Sequence, residues 1–338
     1  MNIPPLARRE VSSAHPPTKA HHSFRTPPRM THHPRDKGIF LAEVRRRHTL
    51  CRAHFELTLS VPEFPHAAPG QFLQVLCREP ARTDIAAASP EFARACPAEA
   101  PMLRRPFSIG GLRRPGRAVE IDILGRVVGP GTAFLDARRP GDRVDLLGPL
   151  GRPFSMPSSG HLAILVAGGI GLPPIRWQAE ILAHRGVSAV AVVGAQSRDL
   201  LPISLVESPS SAGTPTFCAE EFSGHGVPLA VTTDDGTCGL RGRVTDALEP
   251  LLRSGRPAAH PRVFACGPEP MLRAVAALCA RHGVVCELAM ERVMACGMGT
   301  CQSCVIPVHD ASRESGWRYA LCCTEGPVFL GDRVRWDL

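Results

Sequence analysis

Apolar and polar residues alternate with a period of two in several short runs of the first half of the chain. Phe72-Leu-Gln-Val-Leu and Val119-Glu-Ile-Asp-Ile-Leu are the clearest. Strands are expected at Ile39–Val44, Cys51–Leu59, Gln71–Leu76, Ala118–Leu124 and Arg143–Leu147, with Pro/Gly turns between them. Short strands with such turns predict a small antiparallel barrel over residues 38–157. From residue 158 the pattern changes. Leu162-Ala-Ile-Leu-Val-Ala is continuously apolar and runs into Gly168-Gly-Ile-Gly171. A helical stretch, Ile175–His184, and a second apolar strand, Ala189–Val193, follow. Arg262-Val-Phe-Ala-Cys, Gly267-Pro and a helix over Pro270–His282 repeat the scheme. Buried strands alternating with helices predict a Rossmann-like parallel α/β domain over 158–285. The remainder, 286–338, loses helical period, gathers cysteines and glycines, and is expected to be a small metal-supported module. The fold class is therefore β plus α/β. Residues 1–37 show no hydrophobic period and are expected to be a disordered basic tail. Pro80–Pro101 is rich in Ala and Pro and is expected to be an inserted surface loop.

Composition narrows the functional classes. The apolar fraction of 44% is ordinary for a globular protein. The longest apolar candidate, Leu162–Ile175, is interrupted by Gly168, Gly169, Gly171, Pro173 and Pro174, so no membrane span is expected. The formal charge is +8. More than half of it sits in the tail, where Arg8, Arg9, Lys19, Arg25, Arg29, Arg35 and Lys37 face only Glu10 and Asp36. The body is mildly basic and lacks interleaved aromatic and basic residues, which argues against a nucleic-acid partner. His21, His22, His32 and His33 would bind metal only adventitiously. The tail has no apolar core of the secretory kind; its Arg content leaves organellar targeting as the alternative to a cytoplasmic location.

The 13 cysteines are odd in number and cluster near the C-terminus, which reads as metal ligation in a reducing compartment rather than a disulfide framework. Cys296-Gly-Met-Gly-Thr-Cys301-Gln-Ser-Cys304 has C-x4-C-x2-C spacing, and Cys322-Cys323 follows. That is the ferredoxin-type pattern for a [2Fe–2S] cluster. Two irons need four thiolates, and Gly297 and Gly299 let backbone N–H groups approach the sulfurs. Zinc also takes four thiolates, although its sites more often show paired C-x2-C knuckles. One of Cys322 and Cys323 suffices as the fourth ligand.

Nucleotide signals are weaker one by one. Gly168, Gly169 and Gly171 follow a buried strand and precede a helix, where a glycine turn admits a pyrophosphate. Cys266-Gly267-Pro268 follows another strand. Each also suits a plain strand-to-helix turn. Arg105-Pro106-Phe107-Ser108 offers a charge for a phosphate, an apolar surface and a hydroxyl, or simply ends a strand. Their order (barrel, Gly-rich turn, Cys-Gly-Pro, ferredoxin-type cysteines) describes a flavin reductase feeding an iron–sulfur cluster.

Over residues 38–338 the chain resembles the electron-transfer subunits of class B dihydroorotate dehydrogenases, within the ferredoxin reductase superfamily. The resemblance rests on Leu103-Arg-Arg-Pro-Phe-Ser-Ile, Arg126-Val-Val-Gly-Pro-Gly-Thr, Leu147-Gly-Pro-Leu-Gly, Ala167-Gly-Gly-Ile-Gly-Leu-Pro-Pro, Thr233-Asp-Asp-Gly, Ala265-Cys-Gly-Pro-Glu-Pro-Met-Leu and Met290-Glu-Arg-Val-Met-Ala-Cys. The ending Cys323-Thr-Glu-Gly-Pro-Val-Phe, with Val334-Arg-Trp, discriminates most. The resemblance implies FAD contacts at Arg105, Pro106, Phe107, Ser108, Leu124, Gly125, Arg126, Gly131 and Thr132. It also implies cluster ligands at Cys296, Cys301, Cys304 and Cys323. NAD is then the co-substrate, and the partner is an FMN-containing catalytic subunit that oxidises dihydroorotate in de novo UMP synthesis, in a heterotetramer of two plus two. No catalytic residue for dihydroorotate is expected in this chain. Two departures stand out. Gly125 replaces an aromatic residue, and the spacer from Cys304 to Cys323 is longer than usual. A related NAD(P)H–ferredoxin or sulfide-linked oxidoreductase subunit is one alternative; a redox-sensing cluster protein with a degenerate flavin site is another. Arg198 would meet a 2′-phosphate if NADP were the substrate, or is a surface arginine. Met294, Met298 and Val305 are expected either at the partner surface or packed against the cluster loop.

Overall fold

The computed structural model describes residues 36–78, 102–157, 160–253 and 260–337. The expected tail, apart from its last two residues, and the expected Pro80–Pro101 loop lie outside the described residues.

Six strands close an antiparallel barrel: β1 Gly38–Cys51, β2 His54–Val61, β3 Phe72–Val75, β4 Arg105–Arg113, β5 Val119–Arg126 and β6 Arg143–Leu150, in the order β1-β2-β5-β4-β3-β6. Alternation places Val44, Phe55, Leu57, Leu59, Leu73, Ile121 and Ile123 in its core. β1 runs well past the expected Val44 and bends at two register shifts against β2. β4 extends through Gly110-Gly111, a pair that hides the strand from a reading by propensity. A short helix, α1 (Pro130–Asp136), joins β5 to β6. On the barrel's outer surface Asp122 accepts from Arg113 at 2.5 and 2.9 Å and from Thr58 Oγ1 at 2.8 Å.

The second layer is a seven-stranded sheet. Its elements are β7 His161–Gly168, α2 Leu172–His184, β8 Ala189–Ala195, α3 Glu220–Ser223, β9 Leu229–Thr233, β10 Leu240–Arg241, α4 Val244–Arg253, β11 His260–Cys266, α5 Glu269–Arg281 and β12 Val285–Ala289. The strand order is β10-β9-β8-β7-β11-β12, and β15 (Val328–Leu330) adds antiparallel to β12. The unbroken apolar run of β7 is divided between two cores. Ile164 and Val166 face α4 and α5, and Ala163, Leu165 and Ala167 face α2 and α3. A strand covered on both faces must be apolar throughout. Between β12 and β15 stands a two-stranded hairpin, β13 (Val305–His309) with β14 (Trp317–Leu321). The segment 286–338 thus contributes most of β12, and β15, to the sheet.

Barrel and sheet form one compact body. Trp177 of α2 enters the barrel core, and Arg176 beside it pairs with Glu56 at 2.6 Å. The connecting segment is held by Ser155, whose N–H donates to Glu287 at 2.7 Å, while Arg262 donates to both Ser155 Oγ and Glu287.

Candidate functional site

The chain order reverses between β7 and β11: β8, β9 and β10 lie to one side and β12 to the other. A crevice outside the carboxyl ends of the strands at such a switch point is where open α/β sheets hold nucleotides. Both glycine turns singled out in the sequence meet there. A Cβ on Gly171 would lie 2.2 Å from the Cys266 carbonyl oxygen, and one on Gly168 2.4 Å from Met271 Sδ. One on Gly267 would strike Met271 Cε at 2.6 Å. Gly169 holds a left-handed φ of 50°. Only glycines allow the two turns to abut. Burial pushes the Cys266 thiol up to about 12, so it stays protonated. Arg198 lies in the turn after β8, where its N–H donates to Thr237 Oγ1 at 2.9 Å.

The proposed flavin residues gather on the barrel. Antiparallel pairing brings Arg105–Ser108, at the start of β4, beside Leu124–Arg126, at the end of β5. Gly131 and Thr132 follow in α1, where Thr132 Oγ1 accepts from the N–H groups of Val128 and Gly129 at 2.9 and 3.2 Å. The two arginines of the motif divide the work. Arg104 is tied to Asp145 at 2.8 Å and to the Gln74 carbonyl. Arg105 is exposed and, among the described residues, bonds the carbonyls of Leu103 and Arg104, which leaves its charge for an anion. Pro106 and Ser108 pair with Gln74 and Phe72, while Phe107 packs among the barrel core side chains. His54, opposite Arg126, was not legible as a site residue. Its Nδ1 lies 2.8 Å from the Arg52 carbonyl, so the ring proton sits there. Nε2 is then a buried acceptor with no partner among the described residues. Burial lowers the His54 pKa and keeps the ring neutral. An exposed cation and an orphaned acceptor on the barrel suit a cofactor that carries phosphate and polar groups.

The cysteines come as two pairs. Cys301 is hydrogen-bonded to Cys296, and Cys323 to Cys304, through backbone N–H groups. Backbone donors reach the sulfurs: Met298 N–H and Cys301 N–H to Cys296 Sγ at 3.3 and 3.5 Å, and Cys323 N–H to Cys304 Sγ at 3.4 Å. Gly297 and Gly299, with φ of 71° and 88°, turn the loop. Ser303 holds the Cys301 thiol down at about 6, whereas burial pushes Cys323 up to about 12. Cys322 points elsewhere and donates to the Met290 carbonyl at 3.5 Å. No three His, Cys, Asp or Glu side chains among the described residues converge on a single ion. Two thiol pairs with N–H donors around them are what a binuclear cluster requires.

Residues 291–335 match a family model described as the iron-sulfur cluster binding domain of dihydroorotate dehydrogenase B. The dihydroorotate dehydrogenase B (NAD(+)) electron transfer subunit of Bacillus caldolyticus is 36% identical over 285 residues, covering 83% of this chain and 92% of that one. The corresponding subunit of Desulforamulus reducens is 29% identical and matched over 99% of its length. The chain belongs to this electron-transfer subunit family. A solved NADH-dependent reduced ferredoxin-NADP oxidoreductase superposes with a TM-score of 0.67 at 25% identity, covering 88% of this chain and 90% of that one. The ferredoxin reductase of carbazole 1,9a-dioxygenase, at 17% identity and a TM-score of 0.54, shares the fold.

Family membership gives the Gly125 departure a physical setting. Gly125 pairs with Phe55 across β2 and β5, and a Cβ there would lie 2.4 Å from Phe55 Cζ. The position is closed by an aromatic ring donated from the neighbouring strand. Of the three residues expected at the partner surface or against the cluster loop, Met294 is buried, Val305 half-buried and Met298 exposed. Val293, not Met294, is the outward neighbour. Nothing in the residue pattern distinguished the two.

Proposed function

We propose that this chain carries electrons between NAD and the catalytic subunit of a dihydroorotate dehydrogenase, holding FAD and a [2Fe–2S] cluster on the way. The observation that carries the reading is the union, in one body, of a flavin-type barrel, a switch-point crevice and two thiol pairs. When bound, FAD exchanges hydride with nicotinamide and single electrons with the cluster. The residues do the positioning. Arg105 and Arg126 neutralise phosphate charge, and Gly168, Gly169, Gly171 and Gly267 admit the nicotinamide nucleotide to the strand ends. Cys296, Cys301, Cys304 and Cys323 would hold the cluster. We assign residues 38–157 to the flavin barrel, 158–285 to the nucleotide domain and 286–338 to the cluster module, after a 1–37 tail.

The hairpin offers the docking face. Val305, Pro307 and His309 pair with Leu321, Tyr319 and Trp317, and these side chains share the face opposite buried Ile306, Val308 and Ala320. Tyr319 is 59% exposed and stacks edge-on with Trp317. The hairpin starts directly after Cys304 and ends directly before Cys322, so a partner seated on it lies beside the cluster. Apolar, aromatic patches of this kind form interface cores. The assembly is assigned as two plus two subunits. No described helix is long and apolar enough to cross a membrane. Every described cysteine is a free thiol, which suits the reducing cytoplasm. Reconstitution tests the reading. The chain with FAD and cluster should reduce an artificial acceptor with NADH, yet show no dihydroorotate-dependent activity until the FMN-bearing subunit is added. Orotate formation by the chain alone, or activity restored only by a different redox partner, would overturn it.

A further inference from the structure

Gln74 stands on the outer face of the barrel, between Pro106 on β4 and Leu147 on β6. It is 0% exposed, and neither its Nε2 nor its Oε1 has a hydrogen-bond partner among the described residues. Buried amides are ordinarily satisfied, so a group left this way marks a ligand-facing position. The cluster loop lies directly over it. A Cβ on Gly297 would stand 2.6 Å from Gln74 Cγ, 2.9 Å from Nε2 and 3.1 Å from Leu150 Cδ1. The residue after the first thiol is therefore seated on this carboxamide. The sulfur of Cys296 already collects N–H donors from its own loop. Gln74 brings an amide donor to the same loop from the barrel.

We propose that Gln74 is a positioning residue that sets the cluster's reduction potential, its Nε2–H donating to a cluster sulfur on the Cys296–Gly297 side. The inference rests on the cluster reading above. Reduction adds a negative charge to the cluster, so a hydrogen bond to sulfur is stronger in the reduced state and raises the potential. Burial strengthens the effect, because no water competes for the donor. A sulfur acceptor also selects the amide orientation with Nε2 toward the loop. The backbone of β3 pairs through Val75 and Gln74 with Arg105 and Pro106. One strand thus touches the flavin residues with its backbone and the cluster loop with a side chain.

The test uses the full chain with FAD and cluster, in wild type, Gln74→Met and Gln74→His. The cluster is titrated by electron paramagnetic resonance and the FAD by absorbance. Gln74→Met should disfavour cluster reduction about tenfold, or about 59 mV for one electron. The FAD potential should stay in place, and Gln74→His, which keeps an N–H, should recover most of the shift. An unchanged cluster potential in Gln74→Met with full iron and sulfide would overturn the proposal, as would a shift confined to FAD. If neither variant assembles, hyperfine coupling between the reduced cluster and side-chain-labelled glutamine in a Gln302→Ser background reads the contact directly, and its absence is equally decisive against the proposal. A wild-type chain without acid-labile sulfide would defeat the cluster reading itself, whatever Gln74 does.

Discussion

Cys322 and Cys323 are adjacent and chemically identical, yet their surroundings separate them. Cys323 meets Cys304, while Cys322 bonds the Met290 carbonyl. Cys323→Ser should therefore abolish the cluster's visible absorbance, and Cys322→Ser should retain it. The opposite result would reverse the assignment. Gly125 is decided by its neighbour across the sheet. Phe55 is fully buried, and a methyl added at Gly125 would meet its ring. Gly125→Ala should cost about 1–3 kcal/mol, as overpacking does. Calorimetry would show a lowered melting temperature, partly restored by Phe55→Leu. Simple additivity of the two changes would mean that the ring is not the cause.

Among elements, the pairing of β2, β4 and β5 is pinned by a carboxylate. Burial raises the Asp122 pKa, but hydrogen bonds from Arg113 and Thr58, with the Arg113 and Arg176 charges, outweigh it and hold the carboxyl below its ordinary range. A carboxyl with a depressed folded value stabilises fully above its unfolded value, near 4. That stability is lost as the pH falls through the folded value. Arg113 is about half exposed, so the contribution is set nearer to a charged hydrogen bond than to a buried pair, at about 2 kcal/mol. Asp122→Asn should be destabilised by that amount at pH 7, and the gap from wild type should close below about pH 4. Urea unfolding across the pH range would show it, and a constant gap would refute it. Helix α2 acts at the same scale, since Trp177 and Arg176 grip the barrel while its start lies at the nucleotide crevice.

For the whole molecule, the hairpin β13–β14 places an aromatic face beside the cluster loop. In the reconstitution, Tyr319→Glu should weaken binding of the catalytic subunit by tenfold or more, as loss of an aromatic anchor does. NADH-driven reduction of a small acceptor should be unchanged, because Tyr319 is an exposed side chain of the hairpin, outside the barrel motif and the glycine turns. Sedimentation and steady-state turnover separate the two effects. Equal loss in both assays would show that the substitution damages the chain itself.

The sequence alone determined what depends on local order. Period-two alternation marked the barrel strands, continuous apolar runs marked β7, β8 and β11, and cysteine spacing marked a cluster loop. The glycine turns were visible as turns, and the motif order named the family. β4 was missed because Gly110-Gly111 hide it, and α1 because its seven residues carry no period. What the tertiary structure decided involves residues far apart in the chain. It brought Gly171 against Cys266 and Phe55 over Gly125, and it gave β12 and β15 to the sheet. It turned Met294 inward and Val293 outward, and it set Gln74 under Gly297. A side chain's environment is supplied by strands paired across long loops. Spacing along the chain records which face a residue takes within its own strand, but not what packs on that face.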